Sequence, residues 1–144
     1  MRKFTFILMA LFVGTIARAQ SDYTKSLNGI QWVKIESKTD IVVKTHSSNE
    51  LLIKSGPEVK TPERAKGLKL VGEGGTDNTN VGFSVVQDGN TLIVYNLRKS
   101  KGAEIYLPAS QNIAVKSTWN GDIEIDGFSG EIEADAQLNG GVKL

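Results

Sequence analysis

From Ile113 onward the chain repeats one short unit. Ile113-Ala114-Val115, Ile123-Glu124-Ile125, Ile132-Glu133-Ala134 and Val142-Lys143-Leu144 each place apolar residues at alternate positions. The units begin 10, 9 and 10 residues apart, and Asn120-Gly121, Ser129-Gly130 and Asn139-Gly140 stand just ahead of the last three. Alternation of period two is a strand signal because successive side chains of a strand point to opposite faces, and glycine beside asparagine or serine marks the turns between. Near-identical strands at fixed spacing suit a structure that lays one unit upon the next. The expected fold is therefore all-β, a β-solenoid-like stack of short strands of the single-stranded right-handed β-helix type. An antiparallel meander would give a similar number of strands and stands as the alternative. Inward parity is odd from Ile113 to Ile125 and even from Ile132 to Leu144, so the Gly127-Phe128-Ser129-Gly130 turn absorbs a phase change. The pattern runs to Leu144 with nothing to block further pairing, and an open strand edge templates association. The stack is thus expected to be truncated at its C-terminus.

Upstream the same alternation predicts strands over 30–36, 40–45, 50–55, 81–87, 91–97 and 103–107, the last stopped by Pro108. Asp88-Gly89-Asn90 joins two of them as a hairpin, since Asp-Gly tolerates the positive φ of a tight turn. Thr61-Pro62 followed by Gly67 describes one short helical turn, with a threonine N-cap and proline at the first helical position. Residues 72–80 (GEGGTDNTN) read as a glycine-rich loop, and 20–29 as a loose polar leader.

The first residues read as an export signal. Arg2 and Lys3 precede an apolar run from Phe4 to Ile16, and Ala17-Arg18-Ala19 supplies small residues at a cleavage site. The run is shorter than the roughly 20 apolar residues a spanning helix needs. Residues 1–19 are expected to be removed, leaving no transmembrane span, and 30–144 to form one strand-repeat domain clearest over 105–144. Loss of Arg2, Lys3 and Arg18 turns the formal charge of +1 to −2. Cysteine is absent, so disulfide scaffolds, thiolate zinc sites and cysteine nucleophiles are excluded together. No basic stripe with interleaved aromatics is present, which argues against nucleic acid as a partner. An outer-membrane barrel is set aside because barrel strands run about 9–11 residues with aromatic girdles.

No catalytic, cofactor-binding or metal-ligating residue is assigned. His46 is the only histidine; Ser47 and Ser48 are too close in sequence to be served by it as a base, so it reads as a solvated loop residue. Asp122, Glu124 and Asp126 alternate, as do Glu131, Glu133 and Asp135. If consecutive units stack at about 4.8 Å, two carboxylate rows approach one another, an arrangement open to Ca²⁺ or to a glycosidase pair. The expected reading is instead a solvated outer face. Gly72-Glu73-Gly74-Gly75 lacks the lysine-serine ending of a phosphate loop. Trp119 is in phase with Ile113 and Val115 and is expected to pack inward, while the face of Trp32 is ambiguous; exposed, either would be a sugar-stacking platform.

Ile105-Tyr106-Leu107-Pro108, Asn112-Ile113-Ala114-Val115, Asn120-Gly121-Asp122-Ile123-Glu124-Ile125 and Ser129-Gly130-Glu131-Ile132-Glu133-Ala134 together resemble the adhesin-like family of bacterial envelope proteins, the strand-repeat kind related to head-GIN domains. The likeness covers about 40 residues, Ile105 to Leu144. It implies successive rungs of a β-solenoid in a non-enzymatic envelope or surface protein, without cofactors, in the periplasm, at the outer-membrane surface or outside the cell. The implied partner is an envelope or surface protein or a glycan. A carbohydrate-binding module is the alternative, and a glycan-acting enzyme the third.

Overall fold

The computed structural model describes residues 21–56, 63–65, 67–99 and 102–144. The expected signal segment 1–19 lies outside the described residues, as do 61, 62 and 66 of the expected helical turn, of which Glu63–Ala65 form a 3-10 turn. The strands are β1 (Tyr23–Ser26), β2 (Trp32–Ser37), β3 (Ile41–His46), β4 (Glu50–Ile53), β5 (Val71–Gly72), β6 (Gly75–Thr76), β7 (Phe83–Asp88), β8 (Thr91–Asn96), β9 (Ala103–Pro108), β10 (Asn112–Ser117), β11 (Ile123–Ile125), β12 (Ile132–Ala136) and β13 (Val142–Lys143). No described helix is long and apolar enough to cross a membrane.

The fold is all-β. One sheet has the order β1-β4-β9-β3-β11-β13, a second the order β12-β10-β2-β8-β7, and β5-β6 form a small hairpin. The alternating side chains of both large sheets meet in one core, in which Val33, Ile35, Ile41, Val43, Leu92, Val94, Ile105, Leu107, Ile113 and Ile123 are fully or almost fully buried. Each sheet is mixed. β8, β2, β10 and β12 run parallel, as do β9, β3, β11 and β13, while β7, β4 and β1 add antiparallel strands on one flank.

This corrects the expected single stacked helix in two respects. Consecutive repeat units do not lie on one another; they alternate between the two sheets. Ile113 pairs with Ile132 and Ile123 with Val142, so the structural period is 19 residues, two units per layer. The layers are also out of chain order, β8/β9, β2/β3, β10/β11, β12/β13, with the first-made layer inside. The parallel pairings rule out the meander for the repeats. Residues 23–26, expected as loose leader, form edge strand β1 against β4. Asp22 secures that edge: it accepts from the Lys54 ammonium at 2.9 Å and the Ser55 amide at 2.7 Å, which hold its carboxyl below the usual range.

Small residues and Asx side chains fasten layer to layer at the corners. The Asp122 amide donates to Asp40 Oδ1 at 3.0 Å, and the Gly141 amide to Asp122 Oδ1 at 2.8 Å. The Glu131 amide donates to Asn112 Oδ1 at 3.0 Å in the same manner. The β7–β8 hairpin forms as expected, turning at Gly89 with φ 58°. Inside the second sheet a polar row, Asn96, Ser37 and Ser117, replaces the apolar residues of the preceding positions. Asn96 Nδ2 donates to Ser37 Oγ at 3.0 Å, and Ser37 Oγ donates to the Thr39 carbonyl at 2.7 Å. Ser117 Oγ, between Ser37 and Ala136, is buried and makes no hydrogen bond. An unpaired buried hydroxyl costs about 1–3 kcal/mol. Ser117→Ala is therefore expected to raise stability by about 1 kcal/mol in urea unfolding; a fall in the midpoint would show that the hydroxyl is paired.

Candidate functional site: the outer face, its corner cavity and the open end

Because Val33, Ile35, Val94 and Val115 point inward, their neighbours line the solvent face of the second sheet. Register sets those neighbours in rows across the strands. Thr91, Trp32 and Asn112 form one row, Ile93, Lys34, Ala114 and Glu133 the next, and Tyr95, Glu36, Lys116 and Asp135 the third. Ala114 is the smallest member, and a shallow groove of about 290 Å³ lies over it, flanked by Lys34, Glu36, Lys116 and Glu133.

At the Tyr95 end of this face is a larger cavity of about 540 Å³. Its floor is the ends of β2 and β8, and the β5–β6 hairpin forms the opposite wall. Three features hold that hairpin. Lys38 Nζ meets Glu73 Oε2 at 2.6 Å, and the ammonium keeps the Glu73 carboxyl below its ordinary range. Gly74 rests on the Tyr95 ring so closely that any Cβ would overlap it. The Asp77 amide donates to the Leu70 carbonyl at 2.7 Å. Behind them, the buried Asp77 carboxylate accepts from the Thr79, Asn80 and Gly82 amides. The Arg98 guanidinium bonds the Val81 and Lys54 carbonyls and lies 5.0 Å from the Phe83 ring centroid. Burial pulls its pKa down, with the Asp77 charge acting in the opposite sense.

The two flanks of the stack differ. Beyond β9 and β8, the antiparallel strands β4, β1 and β7 cover the core. At the other flank β12 and β13 are the outermost strands, and their inward positions stay partly open. Leu144 is 77% exposed, and the corner residues Leu138 and Trp119 are 69% and 60% exposed.

The sequence-singled residues fall as follows. Trp119 does not pack inward: β10 ends at Ser117, and the corner 118–121 is two residues longer than its neighbour 38–39, so it bulges outward beyond the strand's alternation. Trp32 is half-buried on the outer face. His46 is not a loop residue but the last of β3, half-buried, its Nε2 bonded to the Glu50 carbonyl at 2.7 Å. The two acidic trios belong to different sheets, Asp122, Glu124 and Asp126 with β11 and Glu131, Glu133 and Asp135 with β12, so the stacked carboxylate rows do not form. Glu124 instead meets Lys143 at 3.1 Å. Among the described residues no group of three His, Asp or Glu is placed to hold a metal ion. Residues 72–76 are not a plain loop but the β5–β6 hairpin. Sequence reasoning passed over Tyr95, Lys38 and Lys99; the signal available for Tyr95 was an aromatic at the outward parity of a strand.

A scan of protein-family models matches none to this chain, and searches of the curated proteins and of the solved structures return no match either.

Proposed function

We propose that this chain is a non-enzymatic, exported cell-envelope protein, an adhesin-like interaction module that engages its partner through the exposed corner residues Trp119 and Leu138. The observation that carries this reading is that these two large apolar side chains stand outside the core, 60% and 69% exposed. Exposed apolar side chains of this size are the anchors an interaction surface uses. The partner in this reading is an envelope or surface protein. The leader Arg2 to Ala19 supports export, to the periplasm or beyond.

The test is attachment by cells that express the full chain, compared with cells carrying Trp119→Lys and Leu138→Lys. Both side chains are exposed, so the variant keeps the fold and is expected to abolish attachment. Equal attachment by both strains would sink the interaction surface, and retention of residues 1–19 on a cytoplasmic protein would sink export. A second reading, carbohydrate binding, is favoured by the placement of Trp32 and Trp119 outside the core. Loss of glycan-array signal in Trp32→Ala would support it.

A further inference from the structure

We propose that the cavity bounded by the ends of β2 and β8 and by the β5–β6 hairpin binds an acidic sugar, a pyranose carrying one carboxylate. Its lining includes neither Trp119 nor Leu138, and neither inference depends on the other.

The cavity's volume of about 540 Å³ falls within the usual span of small-molecule sites, roughly 300–1,000 Å³. That is room for a mono- or disaccharide. Its lining has three parts, and each narrows the ligand. Tyr95, Val71 and Leu97 give an aromatic and aliphatic wall. Such a wall suits the C–H face of a sugar ring, and a compact inorganic anion would leave it wet. Thr118 and Glu36 stand at the polar side, one able to donate and both able to accept from hydroxyls. A purely apolar ligand would strip water from Glu36 and Lys99 without replacing those bonds.

The third part is charge. Lys38, Arg98 and Lys99 line the cavity together with Glu36 and Glu73, leaving one positive charge in excess. Arg98 is committed to the Val81 and Lys54 carbonyls, and Lys38 to Glu73. Lys99 is exposed and makes no ion pair among the described residues, so it is the lining cation left to meet a ligand's anion. One unpaired cation in a lining that also holds the Glu36 carboxylate suits a ligand with a single negative charge better than a phosphate with two, which Glu36 repels more strongly. An aromatic wall, hydroxyl partners and one free ammonium together describe a uronic acid.

The probes are glucuronic acid, glucose and a glucuronate-ended disaccharide, titrated into the isotopically labelled full chain while amide shifts are followed by NMR. Glucuronic acid is expected to shift Lys38, Tyr95, Asn96 and Thr118 together. Lys99→Ala is expected to weaken it about tenfold, the effect of removing one charged hydrogen bond. Glucose should bind the wild type about as poorly as glucuronic acid binds that variant. Lys25→Ala, on the far edge strand β1, should change nothing. The disaccharide separates the sources: tighter binding than the free acid assigns the site to glycan ends, and no gain assigns it to the free sugar acid. Absence of shifts at millimolar glucuronic acid would overturn the proposal. So would equal affinity for glucose, or a Lys99→Ala variant that melts and binds like the wild type.

Discussion

Ile35→Ala is expected to cost about 3 kcal/mol and to lower the melting temperature by on the order of 10 °C. Ile35 sits at the middle of β2, fully buried, with Val94 of β8 on one side and Val115 of β10 on the other. Strands on both sides fix the backbone, so the site has little freedom to collapse into the lost volume, and the cavity cost adds to the transfer cost. A domain of this size has about 5–15 kcal/mol of stability in all, so one methyl-for-butyl exchange removes a large part of it. Leu144→Ala is the internal control. That side chain occupies the corresponding inward phase but lies on the uncovered flank, largely exposed, and its loss should fall within about 0.5 kcal/mol. Similar costs at both positions, read from urea unfolding, would show that the β2 layer is not the centre of the core.

Gly121→Ala tests the corners. A Cβ at Gly121 would lie 2.5 Å from the Thr39 carbonyl carbon and 2.9 Å from the Asp40 amide nitrogen. Both are backbone atoms, so no rotamer change can make room, and β11 must move off β3. That shift strains the Asp122-to-Asp40 hydrogen bond and the Ile41 amide bond to the Asp122 carbonyl, 3.0 and 2.9 Å long. Overpacking of this kind costs about 1–3 kcal/mol, and a lost bond brings the sum toward the upper figure. Gly141, two corners' worth of chain later, provides the comparison: its Cβ would meet only Asp122 Oδ1 at 3.5 Å, an ordinary contact. Gly141→Ala should be close to neutral. If the two alanine variants melt alike, close stacking of the corners is not what requires glycine at 121.

Period two in the sequence located nearly every strand, because inward and outward residues alternate in any half-buried strand whatever it pairs with. Ile123–Ile125 was bounded to the residue, and the Gly127-to-Gly130 phase change is where the chain passes from one sheet to the other. Pairing partners were less legible. Trp32 lies opposite both Thr91 and Asn112, distant in the chain, and alternation is blind to which strand lies alongside. A signal for it was nonetheless present. Val33-x-Ile35-x-Ser37 with Asp40-Ile41-x-Val43 repeats the pattern of Ile113-x-Val115-x-Ser117 with Asp122-Ile123-x-Ile125, and these four strands pair two by two in register. The cavity was invisible for a different reason. Tyr95, Lys38 and Glu73 meet only because a two-residue hairpin folds back onto a distant sheet end, and nothing in local composition encodes that return.

The layer made first sits inside the stack, and this governs the order in which the chain folds. As the polypeptide is made N-terminus first, β2 and β3 appear early with both edges bare. The strand that closes the second edge of β2 begins 80 positions downstream of it. No early portion can be completed and left behind, so the chain must stay loose until most of it is there to pair. Long-range pairing of this sort slows folding and leaves sticky edges on show meanwhile.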